Sequence, residues 1–526
     1  MRTKHTLLNM TAGLGNQLII TVLSFISRTV FINSLGIDYL GVNALFTSIL
    51  AMLSLAEAGI GSSIIYNLYK PVADHDVPKI QALMQLYKKS YMVIAGIVML
   101  LGLGLLPFLD TFVKDTSVEH LTLIYFMFLI NTAAPYLFVY KHSFLNVNQK
   151  NYIVTAVFSA SSIVSTLVKI AIIYFTENYI LFLVVESVIT ISTSIILAAV
   201  VDRMYPFLKQ KTSHKIDAET KATFIKNMKA IMLQNIGTYF IFGVDSILIS
   251  SFISVAAVGL YSNYKMLIDI CRTFVNQVFT SMYHSVGNLV AKENAETVYR
   301  IYRVTMLLNF WLYSLFAVLL YLLVQPFIKL WIGEPFLMGQ AVLLVSVITF
   351  YERGMRNSIT TVKNTAGIFH EDRFAPLCQA AINLGLSLLL VKHMGITGIF
   401  VGSLVSALAV PFWTTPYLVY RKVFRQPLHR YFTSYVYYAA VGTGACFAVG
   451  AVYSFIPSGT FIWLGLKAVI CLLMVNLLYI ALFHRTDEFS YLWTTFKGLL
   501  ERLPHARMLL SRLQRQGRAT EAGGHK

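Results

Sequence analysis

Residues 259–285 read GLYSNYKMLIDICRTFVNQVFTSMYHS, a run long enough to cross a bilayer that nevertheless carries Lys265, Asp269 and Arg272. A hydrocarbon core of roughly 30 Å takes about twenty helical residues, at about 1.5 Å each. A charge at mid-helix there costs at least about 2.5 to 3.5 kcal/mol, so it has to face protein or water. Ser262, Lys265, Asp269, Arg272, Asn276, Thr280 and Tyr283 fall nearly in line at helical spacing. One side of this helix is therefore polar along its length, as the wall of a wet cavity requires.

The rest of the chain explains what that wall belongs to. Of 526 residues, 57% are hydrophobic and 13% charged, against about 45 to 50% and about 25% in soluble domains. Mean hydropathy is +0.66, which excludes a soluble enzyme and a disordered chain. Fourteen apolar runs predict membrane helices: 11–33, 41–67, 89–109, 118–140, 152–175, 179–201, 230–252, 259–285, 304–325, 338–360, 374–391, 396–420, 433–455 and 460–483.

The net charge of +18 would suggest a nucleic-acid partner in a soluble protein, but its placement argues otherwise. Alternate connections, beginning with the N-terminus and treating 353–373 as one junction, hold 34 of the 42 Lys and Arg. The other connections hold Lys114, Lys329 and Lys392, and five more basic residues lie inside spans. The positive-inside rule then puts both termini in the cytoplasm.

The longest basic connection divides the chain. The expected fold is an all-α polytopic membrane protein of fourteen helices, with two six-helix bundles around a central cavity plus two extra C-terminal helices. Its parts are residues 1–201 and 230–420 for the bundles, 202–229 for a basic cytoplasmic linker, 421–483 for the added pair and 484–526 for a basic tail. Aligning Gly41 with Gly259, an offset of 218, pairs LGVNALF with VGLYSNY and sets Arg28 opposite Ser246, beside Asp245. That is the pattern of parallel repeats related by an axis along the membrane normal. The tail mixes Leu, Phe and Trp with basic residues. It suits either an amphipathic segment on the inner leaflet or a solvated tail, and both readings stay open.

Three other helices share the polar character of 259–285. Gln17, Thr21, Ser24 and Arg28 line one face of the first span; Asn43, Thr47, Ser54, Glu57 and Gly61 line one of the second; Gln234, Thr238 and Asp245 mark the seventh. The first two helices of each half should thus face one another across a hydrated cavity. Arg28, Lys265 and Arg272 suit phosphate oxygens, Arg through bidentate bonds. Gln17, Asn43, Asn276 and Tyr283 suit sugar hydroxyls, and Glu57, Asp245 and Asp269 suit a proton or sodium ion whose gradient drives the cycle.

The competing reading is that these charges are structural ion pairs, as Lys265 and Asp269 at i, i+4 could be. Lys169, Glu186 and Lys467 are isolated charges expected to pair between helices or to snorkel. No cofactor or metal is expected: the four cysteines sit in apolar segments without CxxC spacing. Nor is catalysis, because the richest external loops, LDTFVKDTSVEH and QPFIKLWIGEPF, offer no constellation of groups, and HEDR at 370–373 reads as a loop ion-pair cluster or gate.

Three segments carry a family resemblance: SLAEAGIGSSIIYNLYKPVADHD at 54–76, VDSILISSFISVAAVGLYSNY at 244–264 with SVGNL at 285–289, and GIFHEDRFAPLCQAAINLGLSLLLVKHMGITGIFVGSL at 367–404. They resemble polysaccharide repeat-unit flippases of the Wzx type, in the multidrug/oligosaccharidyl-lipid/polysaccharide exporter superfamily. The resemblance covers about residues 1–425, and implies two six-helix bundles around a V-shaped cavity lined by the first two helices of each. It implies a bacterial cytoplasmic membrane, and as cargo an undecaprenyl-diphosphate-linked glycan turned from the inner to the outer leaflet for capsule, O-antigen or exopolysaccharide. It implies a polysaccharide polymerase and glycosyltransferases as partners, with membrane lipids and no nucleic acid. Glu57 lies in the matching AEAG motif and Asp245 in the matching VDSILIS motif. A lipid II flippase and a cation-coupled multidrug exporter of the same superfamily are the alternatives, and an integral polymerase or glycosyltransferase is a more distant one.

Overall fold

The computed structural model describes residues 2–54, 60–114, 116–210, 216, 222, 237, 243–368, 371–457 and 459–501. All regular structure among them is helical. The helices are α1 (Arg2–Leu35), α2 (Ile37–Leu53), α3 (Ile60–Ala73), α4 (Val77–Leu105, continued by helical turns to Phe112), α5 (Leu121–Ala133), α6 (Tyr136–Val147), α7 (Asn151–Thr176), α8 (Tyr179–Met204), α9 (Gly243–Phe252) and α10 (Val255–Lys292). They continue as α11 (Ala295–Trp331), α12 (Gln340–Met355), α13 (Asn357–Thr365), α14 (Ala375–Met394), α15 (Ile396–Ala409), α16 (Pro411–Val419, with a π turn to Phe424), α17 (His429–Ser454), α18 (Phe461–Phe483) and α19 (Asp487–Glu501).

Ten helices among the described residues are long and apolar enough to cross a membrane, and the chain is a multi-pass membrane protein. They correspond to ten of the fourteen apolar runs. The other four runs are not counted among those ten. Run 41–67 is described as the 17-residue α2 and as α3, with Glu57 and its neighbours outside the described residues. Run 230–252 is described mainly as the short α9. Run 259–285 lies within the 38-residue α10, but three charges lower its apolarity. Run 338–360 breaks between α12 and α13. The total of fourteen spans therefore rests on the sequence alone.

The chain forms two compact units, one drawn from 1–270, 335–345 and 370–411, the other from 271–334, 346–369 and 412–526. In the first unit, Phe31 of α1 meets Tyr179 and Phe182 of α8 edge-on at 5.6 and 5.7 Å. The buried Tyr125 hydroxyl of α5 donates to the Gly102 carbonyl of α4 at 3.0 Å. Lys169 of α7 pairs with Glu186 of α8 at 2.9 Å while lying 4.9 Å from the Phe182 ring centre, so these two charges do pair between helices. Gly398 and Gly402, one turn apart on α15, let it close on α14 so tightly that a Cβ at either would overlap Leu390 or Ser387. Small residues at this spacing are how helices approach in lipid, where the hydrophobic effect gives little drive to associate.

The second unit is held by aromatic packing around α11. Tyr302, Phe310, Tyr420, Phe424, Tyr431, Tyr479 and Phe483 are buried in one cluster. The final pair of spans docks through polar anchors as well: Trp311 Nε1 donates to Asn476 Oδ1 at 2.8 Å and the Tyr479 hydroxyl to Ser314 Oγ at 2.9 Å. Lys467 of α18 is buried with its ammonium 3.8 Å from the Tyr453 ring centre on α17, so its partner is an aromatic face.

The break between α12 and α13 has an identifiable cause. Asn309 of α11, fully buried, donates its side-chain amide to the carbonyls of Gly354 and Met355 at 2.8 and 3.1 Å. A side chain inserted into the helical ladder in this way ends or bends a helix. Beside the break, Arg356 bonds both carboxylate oxygens of the buried Glu352, at 2.5 and 3.1 Å.

Among the described residues, four contacts join connections of the same expected side. Ser117 donates from its backbone and its hydroxyl to Asp38 at 3.2 and 2.8 Å. Gln81 donates to the Phe207 carbonyl at 2.7 Å, Lys141 pairs with Asp202 at 2.6 Å, and Arg303 pairs with Glu488. In the connection after α11, Lys329 hydrogen-bonds Glu334 at 2.5 Å and holds that carboxyl below its ordinary range.

Candidate functional site

Within the first unit, α1 and α2 lie directly against α9 and α10, and glycine makes the contact possible. A Cβ at Gly41 would overlap the Val255 carbonyl, and one at Gly259 would lie 2.6 Å from the Ile37 carbonyl. The two contacts are reciprocal: adding the 218-residue offset to Ile37 and Gly41 gives Val255 and Gly259. Each glycine thus meets the repeat-mate of the residue that the other meets, as a two-fold relation between equivalent helix pairs demands. The weak identity of LGVNALF with VGLYSNY marks the same surface used twice.

The polar residues of these helices continue from that seam. Arg28 of α1 reaches α10 and donates from one guanidinium nitrogen to Ser262 Oγ at 2.8 Å. Among the described residues this is the one hydrogen bond it makes, and no carboxylate of those residues pairs with it. A guanidinium carries five N–H donors, so the group can engage further partners. One step away, Ser48 of α2 bonds Ser246 of α9 at 3.1 Å, and Ser246 is the repeat-mate of Arg28. The Ser262 hydroxyl in turn donates to the Gly259 carbonyl at 2.7 Å, which fixes it as an acceptor for Arg28.

Asp245 of α9 bonds the α14–α15 hairpin. It is buried and accepts from Ser403 Oγ at 3.0 Å, while Asn383 Nδ2 donates to that same oxygen at 2.7 Å. One helical turn on, Ser387 Oγ donates to the Ile399 carbonyl at 3.1 Å. The cluster sets one carboxylate beside the Ser403 hydroxyl and the Asn383 amide. Such a set suits a proton or a monovalent cation better than a divalent ion, which needs more negative charge.

The remaining expected residues are dispersed. Lys265 pairs with Asp269 on its own helix at 2.5 Å, both partly exposed. Gln17 and Asn43 are half-buried on α1 and α2. Arg272, Asn276 and Tyr283 fall on the part of α10 assigned to the second unit; there Asn276 accepts from the Tyr313 hydroxyl at 3.2 Å, and the side chain of Tyr283 is outside the described residues. Glu57, Gln234, Thr238 and His370 are outside them as well.

Sequence reading missed Asn383, Ser387 and Ser403 because each stands alone in an apolar run. Their signal was present: Asn383 and Ser387 lie one turn apart on α14, and Ser403 and Ser406 three apart on α15. Glu352 and Arg356 were missed for a different reason, since the basic residues from 353 onward read as a cytoplasmic junction.

Comparison with known proteins agrees with this construction. A family model described as polysaccharide biosynthesis protein matches residues 6–283. A search of curated proteins finds no match. Among solved structures, the lipid II flippase MurJ in an inward closed conformation is similar with a TM-score of 0.59 at 14% identity, covering 89% of this chain and 99% of that one. An inward-facing multidrug resistance MATE family transporter of the MOP superfamily has a TM-score of 0.57 at 12% identity, covering 75% and 93%. The Vibrio cholerae MATE transporter VcmN in its bent form has 0.53 at 17%, covering 81% and 98%. The chain belongs to the polysaccharide biosynthesis protein family and has the fold of the MOP-superfamily transporters.

Proposed function

We propose that the protein is a flippase that carries an isoprenoid-diphosphate-linked oligosaccharide repeat unit across the bacterial cytoplasmic membrane by alternating access. The observation that carries the reading is Arg28, a half-buried membrane cation that bonds the Ser262 hydroxyl and, among the described residues, pairs with no carboxylate. A positive charge at membrane depth is costly to hold, and an anionic cargo is a fitting counter-charge for it. Diphosphate oxygens match guanidinium geometry, and the isoprenoid tail stays in lipid. With the termini in the cytoplasm, the Gly41 and Gly259 contacts close the external end, so the polar faces open inward to receive the head group. Asp245 with Ser403 and Asn383 takes the coupling proton or sodium ion. Its exchange of partners on binding biases the helix pair α9–α10 against the α14–α15 hairpin.

MurJ, named a lipid II flippase, shares the fold. The family match favours a polysaccharide repeat unit over a peptidoglycan precursor. Depleting the protein in its host separates the two: lipid-linked repeat units accumulate on the inner leaflet if the reading is right, and peptidoglycan precursor accumulates instead if it is wrong.

A further inference from the structure

α13 reads NSITTVKNT, nine residues of which six are uncharged polar groups. A membrane-protein helix of this composition has to face protein or water, because polar groups set against hydrocarbon without partners are costly. Ser358, Ile359 and Val362 are its buried side. Asn357, Thr361 and Asn364 fall one above another on the other side, and each is partly exposed.

The start of that row is held in place. Just before α13, Gly354 lies so close to Tyr313 of α11 that a Cβ would overlap the ring, and Asn309 grips the carbonyls of Gly354 and Met355. The Tyr313 hydroxyl donates to Asn276 of α10 at 3.2 Å and also bonds the Asn357 side chain, with Arg272 near enough to act on it electrostatically. Asn276 itself is exposed. Farther along, a Cβ on Gly287 of α10 would lie 3.5 Å from the Thr365 methyl group, so α10 and α13 run side by side. All of these residues belong to the second unit.

The chemistry of the row suits hydroxyl recognition. Thr361 and Thr365 donate their hydroxyl protons to the carbonyls of Asn357 and Thr361 at 2.9 Å each, which leaves oxygen lone pairs as acceptors. The amides of Asn276, Asn357 and Asn364 can both donate and accept. The Asn364 side-chain oxygen has no hydrogen-bond partner among the described residues. Sugar hydroxyls also donate and accept, so an uncharged row of amides and hydroxyls at one-turn spacing matches them, whereas a phosphate or a metal ion calls for charge.

We propose that Asn276, Asn357, Thr361 and Asn364 form a glycan subsite within the second unit, which reads the hydroxyls of the cargo's sugars and so discriminates between repeat units. The subsite rests on the flippase reading. Tyr313 is its positioning residue, fixing Asn276 and Asn357 relative to each other.

Binding to the full-length protein in nanodiscs tests it with two probes, the lipid-linked oligosaccharide extracted from the host and the bare isoprenyl diphosphate. The parent protein should hold the glycosylated lipid at least about tenfold more tightly than the bare one, as two or more net hydrogen bonds imply. Thr361→Val with Asn364→Leu, near-isosteric changes, should weaken the glycosylated lipid about tenfold on the same reasoning. The bare lipid should bind that variant as it binds the parent, which also shows that the variant is folded. Thr361→Ser, which keeps the hydroxyl, should bind both probes like the parent. Equal affinity of the parent for the two probes overturns the subsite and leaves the flippase reading standing, as does a double variant that keeps the parent's affinity for the glycosylated lipid. A parent protein that binds neither probe removes the flippase reading and the subsite with it.

Discussion

Arg28 and Asp245 stand at equivalent depths of the two repeats, yet their surroundings divide the work between them. Among the described residues Arg28 bonds one neutral partner, Ser262, and in the proposed function it also meets the cargo; Asp245 accepts from Ser403, which Asn383 bonds in turn, and in the proposed function it takes the coupling ion. Arg28→Gln should reduce export of surface polysaccharide at least tenfold while leaving membrane insertion unchanged. Arg28→Lys should keep part of it, because a point charge replaces a bidentate fork. Quantifying surface polysaccharide and the lipid-linked intermediate in complemented cells checks both. At the other site, Asp245→Asn should abolish the dependence of transport on the coupling gradient. Ser403→Ala removes one charge-assisted hydrogen bond of about 1.5 to 3 kcal/mol, so it should weaken the apparent ion affinity by roughly tenfold to a hundredfold. Transport rate measured against sodium concentration and pH in vesicles gives the answer.

Helices and their junctions account for what the sequence could and could not disclose. The ten apolar spans were legible because about twenty apolar residues between basic connections admit few other structures in lipid. The stripe on α10 was legible too, since seven polar side chains at helical spacing cannot all face lipid. Single polar residues were not, and so Asn383 and Ser403 passed for tolerated substitutions. The α12–α13 break was hidden for a related reason: its cause, Asn309, lies far away in sequence. That junction yields a stability prediction. Glu352→Gln leaves the half-buried Arg356 without its carboxylate and should destabilise the protein, by less than the roughly 3 to 5 kcal/mol of a fully buried pair. Glu352→Gln combined with Arg356→Met should recover much of the loss, read as the thermal midpoint of the purified protein in detergent. The glycine seam yields another. Gly41→Leu or Gly259→Leu puts a side chain where the opposing backbone lies, so the external end cannot close. Cysteine probes beside the seam should then be labelled from outside by impermeant maleimide, whereas the parent protein protects them.

The repeat offset joins these local features into one molecule. The same 218 residues that align two weakly similar segments also relate the two glycine contacts, so the helix pairs α1–α2 and α9–α10 use equivalent surfaces against each other. Alternating access is a natural property of such an arrangement, in which one seam opens as another forms. The basic connections are the ground for the expected orientation, and Asp38 with Ser117 and Gln81 with Phe207 each join connections expected on one side. In the proposed function the protein moves an isoprenoid-diphosphate glycan between leaflets and Arg28 holds its diphosphate. Purified protein in proteoliposomes, loaded with a fluorescent isoprenyl-diphosphate oligosaccharide and challenged with an impermeant quencher or lectin, measures this directly. The prediction is gradient-dependent exchange of the label between leaflets with the parent protein, and none with Arg28→Gln. Absence of exchange with the parent protein, or equal exchange with the variant, would contradict it.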